Sequence, residues 1–324
     1  MEKLMKATVF GATGYIGSHT AEQLRMQGYE VMTPVRKECN TSFLQSLGCQ
    51  ICEVNFDQDE SIKAAINEKS IVYNCIAALN TDIAEESIRS IEVDLTRRII
   101  RLAKEKDATG YIQLSSIISY GHQLPDFAID EDFPQTPEFI LDVISLERET
   151  AVKTTCGELD LPYIILQPVS TIGKRARGNS FSQLVEMYQA GKFPLVSGGK
   201  AGVSLIDTRD VGRCMAWLGE YIQTLAGQTL LLKGFDTTWL TFKQTLDKEN
   251  GKVNKAKKYP FWLLDMLGAI GERTGNPLMS RRVAGLLGKN KLYQDTRIRR
   301  AGFAPIYSLE DAVTQVMCES GKVS

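Results

Sequence analysis

Ala7-Thr8-Val9-Phe10-Gly11-Ala12-Thr13-Gly14-Tyr15-Ile16-Gly17 is the stretch that decides how the chain reads. Its first four residues form an apolar run of strand character, and its glycines follow at intervals of three. The residues from about 14 to 27 carry a helical pattern closed by Gly28. Glycines between a strand and a helix allow a tight turn, close backbone approach to a pyrophosphate, and tight helix–strand packing. Free amides and the partial positive charge at the helix N-terminus hold phosphate there. The stretch predicts a phosphate cradle made of Gly11, Thr13, Gly14, Tyr15, Ile16 and Gly17.

Downstream, strand-like and helical patterns alternate. Strands are expected near 30–35, 50–54, 71–76, 110–115 and 163–167, with helices near 41–47, 59–66, 83–106 and 138–157 between them. In the longest helix, Ile88, Ile91, Leu95, Ile99 and Leu102 recur at steps of three and four, marking one buried face. This alternation predicts an α/β fold, a Rossmann doubly wound parallel sheet covered on both faces. Ligands on such sheets bind beyond the carboxyl ends of the strands. After Pro168 the pattern changes to a glycine-rich loop (173–178), short strands, and helices near 180–190, 238–250, 260–273, 279–287 and 308–318. We expect residues 1–167 to form the dinucleotide-binding domain. Residues 168–324 are expected to be mainly a smaller, mostly helical substrate-covering part, with 203–232 returning to the first.

The end of the second strand discriminates between nicotinamide dinucleotides. A carboxylate there would bond the ribose 2′-hydroxyl. The chain instead has Thr33-Pro34-Val35-Arg36-Lys37. A guanidinium suits a 2′-phosphate through charge-assisted bonds. Arg36, helped by Lys37, therefore predicts NADP, with NAD as the alternative.

These segments together resemble the extended short-chain dehydrogenase/reductase family, in its epimerase/dehydratase-like branch. The Gly11-x-x-Gly14-x-x-Gly17 spacing is that family's. Asn55-Phe56 stands where the family has Asp-Leu near the adenine. Asn74-Cys75-Ile76-Ala77-Ala78 resembles its small-residue strand end under the cofactor, which adds Cys75, Ala77 and Ala78 to the contacts. Gln167-Pro168-Val169-Ser170 resembles the strand end beside the nicotinamide, adding Pro168 and Ser170. Leu114-Ser115-Ser116-Ile117-Ile118-Ser119-Tyr120-Gly121 matches the active-site strand and puts Ser116 at the catalytic serine. Asp207-Thr208-Arg209-Asp210-Val211 and the stretch from Arg299 to Pro305 resemble later family segments.

The departure is at the catalytic Tyr-x-x-x-Lys dyad. Ser145 and Glu149 keep the family's register, which puts Asp142 at the Tyr position and Leu146 at the Lys position. No Tyr lies between Tyr120 and Tyr163. Tyr188-x-x-x-Lys192 has the spacing but lies beyond the sixth strand. The resemblance, so modified, implies an atypical NADP-dependent oxidoreductase of a carbonyl or alcohol. Ser116 would hold the substrate oxygen, and Tyr120, His122 or Asp142 would supply the proton. For Tyr120 packing, for His122 a loop place, and for Asp142 a solvent-facing or donor-paired place remain the plainer readings. A silent dinucleotide-binding sensor or structural protein is the competing function. A sugar-nucleotide epimerase or dehydratase needs the missing Tyr.

Composition narrows the partners. Thirty-eight basic and 39 acidic residues give a formal charge of -1, so no global field favours nucleic acid or an anionic membrane. No apolar run is long enough to span a bilayer, and no signal segment precedes the first strand. Seven scattered cysteines read as reduced thiols in a cytoplasmic protein. Cys49-x-x-Cys52 has too few companions for a zinc site, and no metal is expected. Pro260-Phe261-Trp262-Leu263-Leu264 and Met266-Leu267 hint at an apolar small-molecule substrate, although a helix core or a membrane-touching face explains them equally. The resemblance also implies a homodimer through 83–106 and 138–157, yet the same apolar stripes suffice to cover the sheet.

Overall fold

The computed structural model describes residues 5–78, 83–175, 180–274 and 281–319. Part of the expected glycine-rich loop and of the 279–287 region lies outside these.

Seven parallel strands form the main sheet: β1 (Lys6–Phe10), β2 (Glu30–Val35), β3 (Gln50–Glu53), β4 (Ile71–Asn74), β5 (Gly110–Leu114), β6 (Tyr163–Pro168) and a returning strand, Gln228–Leu232. Their order is β3-β2-β1-β4-β5-β6 followed by the returning strand, so strand order reverses between β1 and β4. This is the doubly wound arrangement that the strand–helix alternation predicts. Because helices cover both faces, β1, β4, β5 and β6 are buried almost throughout. Ala7, Val9, Leu24, Ile112 and Leu230 belong to one core layer. Phe10, Val72, Ile99, Val152 and Ile165 belong to another.

The first helix, Tyr15–Met26, stops as its sequence says. Gly28 takes φ +84°, and Tyr29 N–H returns to the Leu24 carbonyl at 3.0 Å. The expected long helix at 83–106 is interrupted. It consists of Glu85–Arg89, a π-helical turn over Ser90–Asp94, and Leu95–Glu105. Within the widened turn, Glu92 is buried, accepts the Ala78 amide at 2.5 Å, and pairs with buried Arg148. Those partners are distant in sequence, so helical periodicity alone could not reveal the break.

The later part of the chain is helical but also carries two small sheets; of their strands the sequence pattern announces the one near 203–206, and not its pairing into a sheet. Ser170–Ile172, Gly202–Asp207 and Phe235–Thr238 form one; Phe193–Val196 and Ala256–Tyr259 form the other. Trp239, Phe181, Phe193 and Phe242 stack into a separate aromatic core. Tyr188 is fully buried there, its phenol donating to the Leu246 carbonyl at 3.0 Å.

Candidate functional site

The cradle sits at the carboxyl end of β1, next to the reversal in strand order. Gly11 adopts φ +75°, and a Cβ there would lie 2.7 Å from the Cys75 backbone. A Cβ on Gly17 would lie 2.2 Å from the Gly11 carbonyl oxygen. The helix can therefore start this close to the strand only with glycine at both places. Thr13 and Gly14 are exposed at its mouth, Gly14 is the N-cap residue, and Tyr15 and Ile16 are half-buried. No side-chain cap bond closes this helix start among the described residues, and the amides of a helix N-terminus suit phosphate. The residues thus fit a dinucleotide pyrophosphate.

Arg36 and Lys37 follow β2 on the surface and are exposed. Asn55 is also exposed, with Oδ1 accepting the Asp57 amide at 3.0 Å. Phe56 packs edge-on against Phe10. Cys75 is buried under Gly11, and burial pushes its thiol up to about 12, so it is an inert packing group. Ala77 is exposed and Ala78 half-buried, its amide held by Glu92. On the opposite side, Pro168 is buried and Ser170 half-buried.

A clasp absent from the sequence reading locks the first helix to the loop after Ile172. Arg175 pairs with Glu22, bonds His19, and lies over the Phe43 ring. The His19 hydrogen bond, with help from Arg175 and against burial, lowers the Glu22 carboxyl to about 2. Its folded value lies below its unfolded one. Its stabilisation is full above about 4.5 and fades as pH falls toward 2. Glu22→Gln should cost about 1–2 kcal/mol in urea unfolding at pH 7, discounted for partial exposure, and much less near pH 3. An equal loss at both pH values would exclude this role.

The candidate catalytic residues gather at the carboxyl end of β5. Ser116 is half-buried and caps a 3₁₀ turn, Ile117–Tyr120, its Oγ accepting the Ile118 amide at a long 3.4 Å. Tyr120 is 1% exposed, and its phenol donates to Gln167 Oε1 at 3.0 Å. Burial raises its pKa, so Tyr120 is a packed structural phenol here. Behind the strand end, buried Glu149 accepts from Ser115 Oγ at 2.5 Å and from Gln167 Nε2 at 2.7 Å. Gln135 closes this network at 3.1 Å.

Gly121 turns the chain at φ +79° against Thr136, and His122 follows. The Glu138 carboxylate accepts the His122 and Gln123 amides at 2.7 and 2.8 Å. Asp142 does not face solvent: it is fully buried and accepts the Phe139 amide at 3.1 Å, at the start of the helix Ile140–Glu158. Its Oδ2 also stands 3.3 Å from His122 Nε2, a contact of ion-pair distance without hydrogen-bond alignment. Two residues named separately from the sequence are thus neighbours. Leu146, at the Lys position, is half-buried and brings no charge.

Lys291 is the residue that sequence reasoning missed. It is 5% exposed and donates from Nζ to the His122 carbonyl. Burial and then Lys289 lower its ammonium to about 8, against the attraction of Glu138 and Asp142. It arrives from a segment that adds to Gly202–Asp207 through Gly202 and Ser204. No local motif links positions 142 and 291, so only the fold brings them together.

The fold has close solved counterparts. UDP-glucose 4-epimerase from Thermotoga maritima, solved with UDP-glucose, superposes with a TM-score of 0.78 at 16% identity, covering 98% of this chain and 99% of that one. UDP-glucuronic acid 4-epimerase from Bacillus cereus, solved with NAD, gives 0.76 at 18% identity, covering 96% and 97%. Among curated sequences, the alpha subcomplex subunit 9 of mitochondrial NADH dehydrogenase (ubiquinone) 1 from Arabidopsis thaliana is 26% identical over 241 residues. That match spans 71% of this chain and 54% of the relative. The mitochondrial NADH-ubiquinone oxidoreductase 40 kDa subunit of Neurospora crassa is 30% identical over 114 residues, 34% of this chain and 30% of the relative. The matched region therefore spans about half or less of the length of these curated relatives. Residues 7–230 match one family model directly, and with that match the chain belongs to the NAD dependent epimerase/dehydratase family.

Proposed function

We propose that this chain is an atypical NADP-dependent oxidoreductase of a carbonyl or alcohol, with its proton exchange moved off the missing dyad onto His122. The observation that carries this reading is the His122–Asp142 contact of 3.3 Å at the register of the absent Tyr. The contact sets the imidazole beside a buried carboxylate on the loop that follows the strand end. Lys291, donating to the His122 carbonyl, holds the same loop.

The bound dinucleotide supplies or accepts the hydride. The chain's own groups do the rest. Gly11 to Gly17 hold the pyrophosphate at the start of the first helix. Arg36 takes a 2′-phosphate, and Lys37 adds charge. Ser116 holds the substrate oxygen, its Oγ being occupied among the described residues by the long Ile118 contact. His122 delivers or removes the proton.

Arg36→Glu should weaken NADPH binding by roughly tenfold or more and leave NADH nearly unchanged, because one charge-assisted pair is worth about 1.5–3 kcal/mol. Equal loss for both cofactors in fluorescence titrations would remove the NADP assignment. The function itself is tested by NADPH consumption across aldehydes, ketones, enones and sugar nucleotides. Turnover that Ser116→Ala abolishes supports the reading; cofactor binding without turnover on any class rejects it.

A second reading has its own support. Asp142 is already used as a helix cap, Leu146 is uncharged, and curated relatives are named as subunits of NADH dehydrogenases. A chain retaining the cradle without turnover would act as a dinucleotide-binding subunit or redox sensor. Such switching requires different affinities for oxidised and reduced cofactor.

A further inference from the structure

We infer that the helix Phe261–Thr274 and the lysines preceding it form a docking face for an anionic lipid bilayer. Trp262, Met266 and Ile270 are 66%, 47% and 50% exposed. Their spacing of four places them along one side of the helix, over about 12 Å. The helix buries apolar side chains on its other side, where Phe261 and Leu264 pack against the aromatic core. A helix resting on a water-facing surface carries polar residues outward; this one is apolar inward and outward.

The charge beside it has one sign. Between Glu249 and Asp265 the sequence contains Lys252, Lys255, Lys257 and Lys258 and no acid. All four lysines are exposed, as is Val253 at 83%. The strand Ala256–Tyr259 pairs with Phe193–Val196, and exposed Lys192 stands just before that partner. Of the two acids in the helix, Asp265 lies 4.0 Å from Arg281 and Glu272 is followed directly by Arg273. An overall charge of -1 conceals this local field.

An amphipathic surface with an exposed Trp beside clustered lysines matches the interface of an anionic bilayer. The indole settles at headgroup depth, the apolar line enters the acyl boundary, and the ammonium groups meet lipid phosphate and carboxylate. A second copy docking through the same face would press lysines against lysines, since a two-fold contact is self-complementary. No helix among the described residues is long and apolar enough to cross a membrane, so the attachment is peripheral. The inference is independent of catalysis.

The test is co-sedimentation of the full chain with vesicles of phosphatidylcholine alone and of phosphatidylcholine mixed with phosphatidylserine. Binding is expected to the mixed vesicles only, and to weaken with added salt. Trp262→Ser with Met266→Ser should lower it by about tenfold or more. Lys257→Glu with Lys258→Glu should lower it at least as much, at roughly fivefold per lysine removed. Circular dichroism and NADPH titration check that the variants are folded. Trp239 is fully buried and Trp217 packs against the main core, so a vesicle-induced blue shift of emission reports chiefly on Trp262. Failure to sediment with mixed vesicles would overturn the inference. So would variants that bind like the parent, or self-association that disappears in Trp262→Ser.

Discussion

Gly17→Ala is expected to weaken dinucleotide binding strongly while leaving a folded but less stable chain. The added methyl would lie 2.2 Å from the Gly11 carbonyl oxygen and 3.1 Å from the Ala12 Cα. These are backbone atoms, so the helix must withdraw from the strand. Overpacking of this kind costs about 1–3 kcal/mol. The same displacement carries the amides at the helix N-terminus out of register with the phosphates, and affinity should fall by roughly 100-fold. Gly14→Ala is the internal comparison. Its methyl would meet the Gly11 oxygen at 3.1 Å, so a smaller loss is expected. Fluorescence titration of NADPH, with thermal melts in parallel, checks both. Equal affinities for Gly17→Ala and the parent would mean that the phosphates are held elsewhere.

His122→Ala is expected to lower kcat by about 10²–10⁴, the usual contribution of a positioned acid or base, without changing cofactor affinity. Asp142→Asn separates field from scaffold. The amide oxygen still accepts the Phe139 N–H, so the helix start survives, but the negative charge beside His122 is gone. Turnover should then fall while NADPH affinity and thermal stability hold, because the carboxylate beside the imidazole is lost and the helix start is kept. Tyr120→Phe removes only the bond to Gln167 and should reduce stability more than rate. If Tyr120→Phe stopped turnover and His122→Ala did not, the proton assignment would pass to the phenol.

Much of the fold was legible because its signals are local. A strand buried on both faces shows an unbroken apolar run, as β1 does, and a helix closed by glycine shows its end, as at Gly28. The cradle was legible for the same reason: its glycines fall within seven consecutive residues, between a strand and a helix. Apart from the strand near 203–206, the small sheets were not legible, since Ser170–Ile172 and Phe193–Val196 are short and gain their partners from distant segments. The break at Ser90–Asp94 depends on Arg148 and on the Ala78 amide, neither of which lies in its own helix. Sequence register puts Asp142 and Leu146 where the resemblance expects the dyad. It could not show that Asp142 is buried against His122, or that Lys291 closes the cluster from nearly 150 positions away.

The most direct test of the central claim is a side-by-side calorimetric titration of the purified chain with NADPH and NADH. An intact cradle followed by Arg36 and Lys37 predicts saturable one-site binding of NADPH, about tenfold or more tighter than NADH. Absence of binding by either dinucleotide would contradict the account at its foundation.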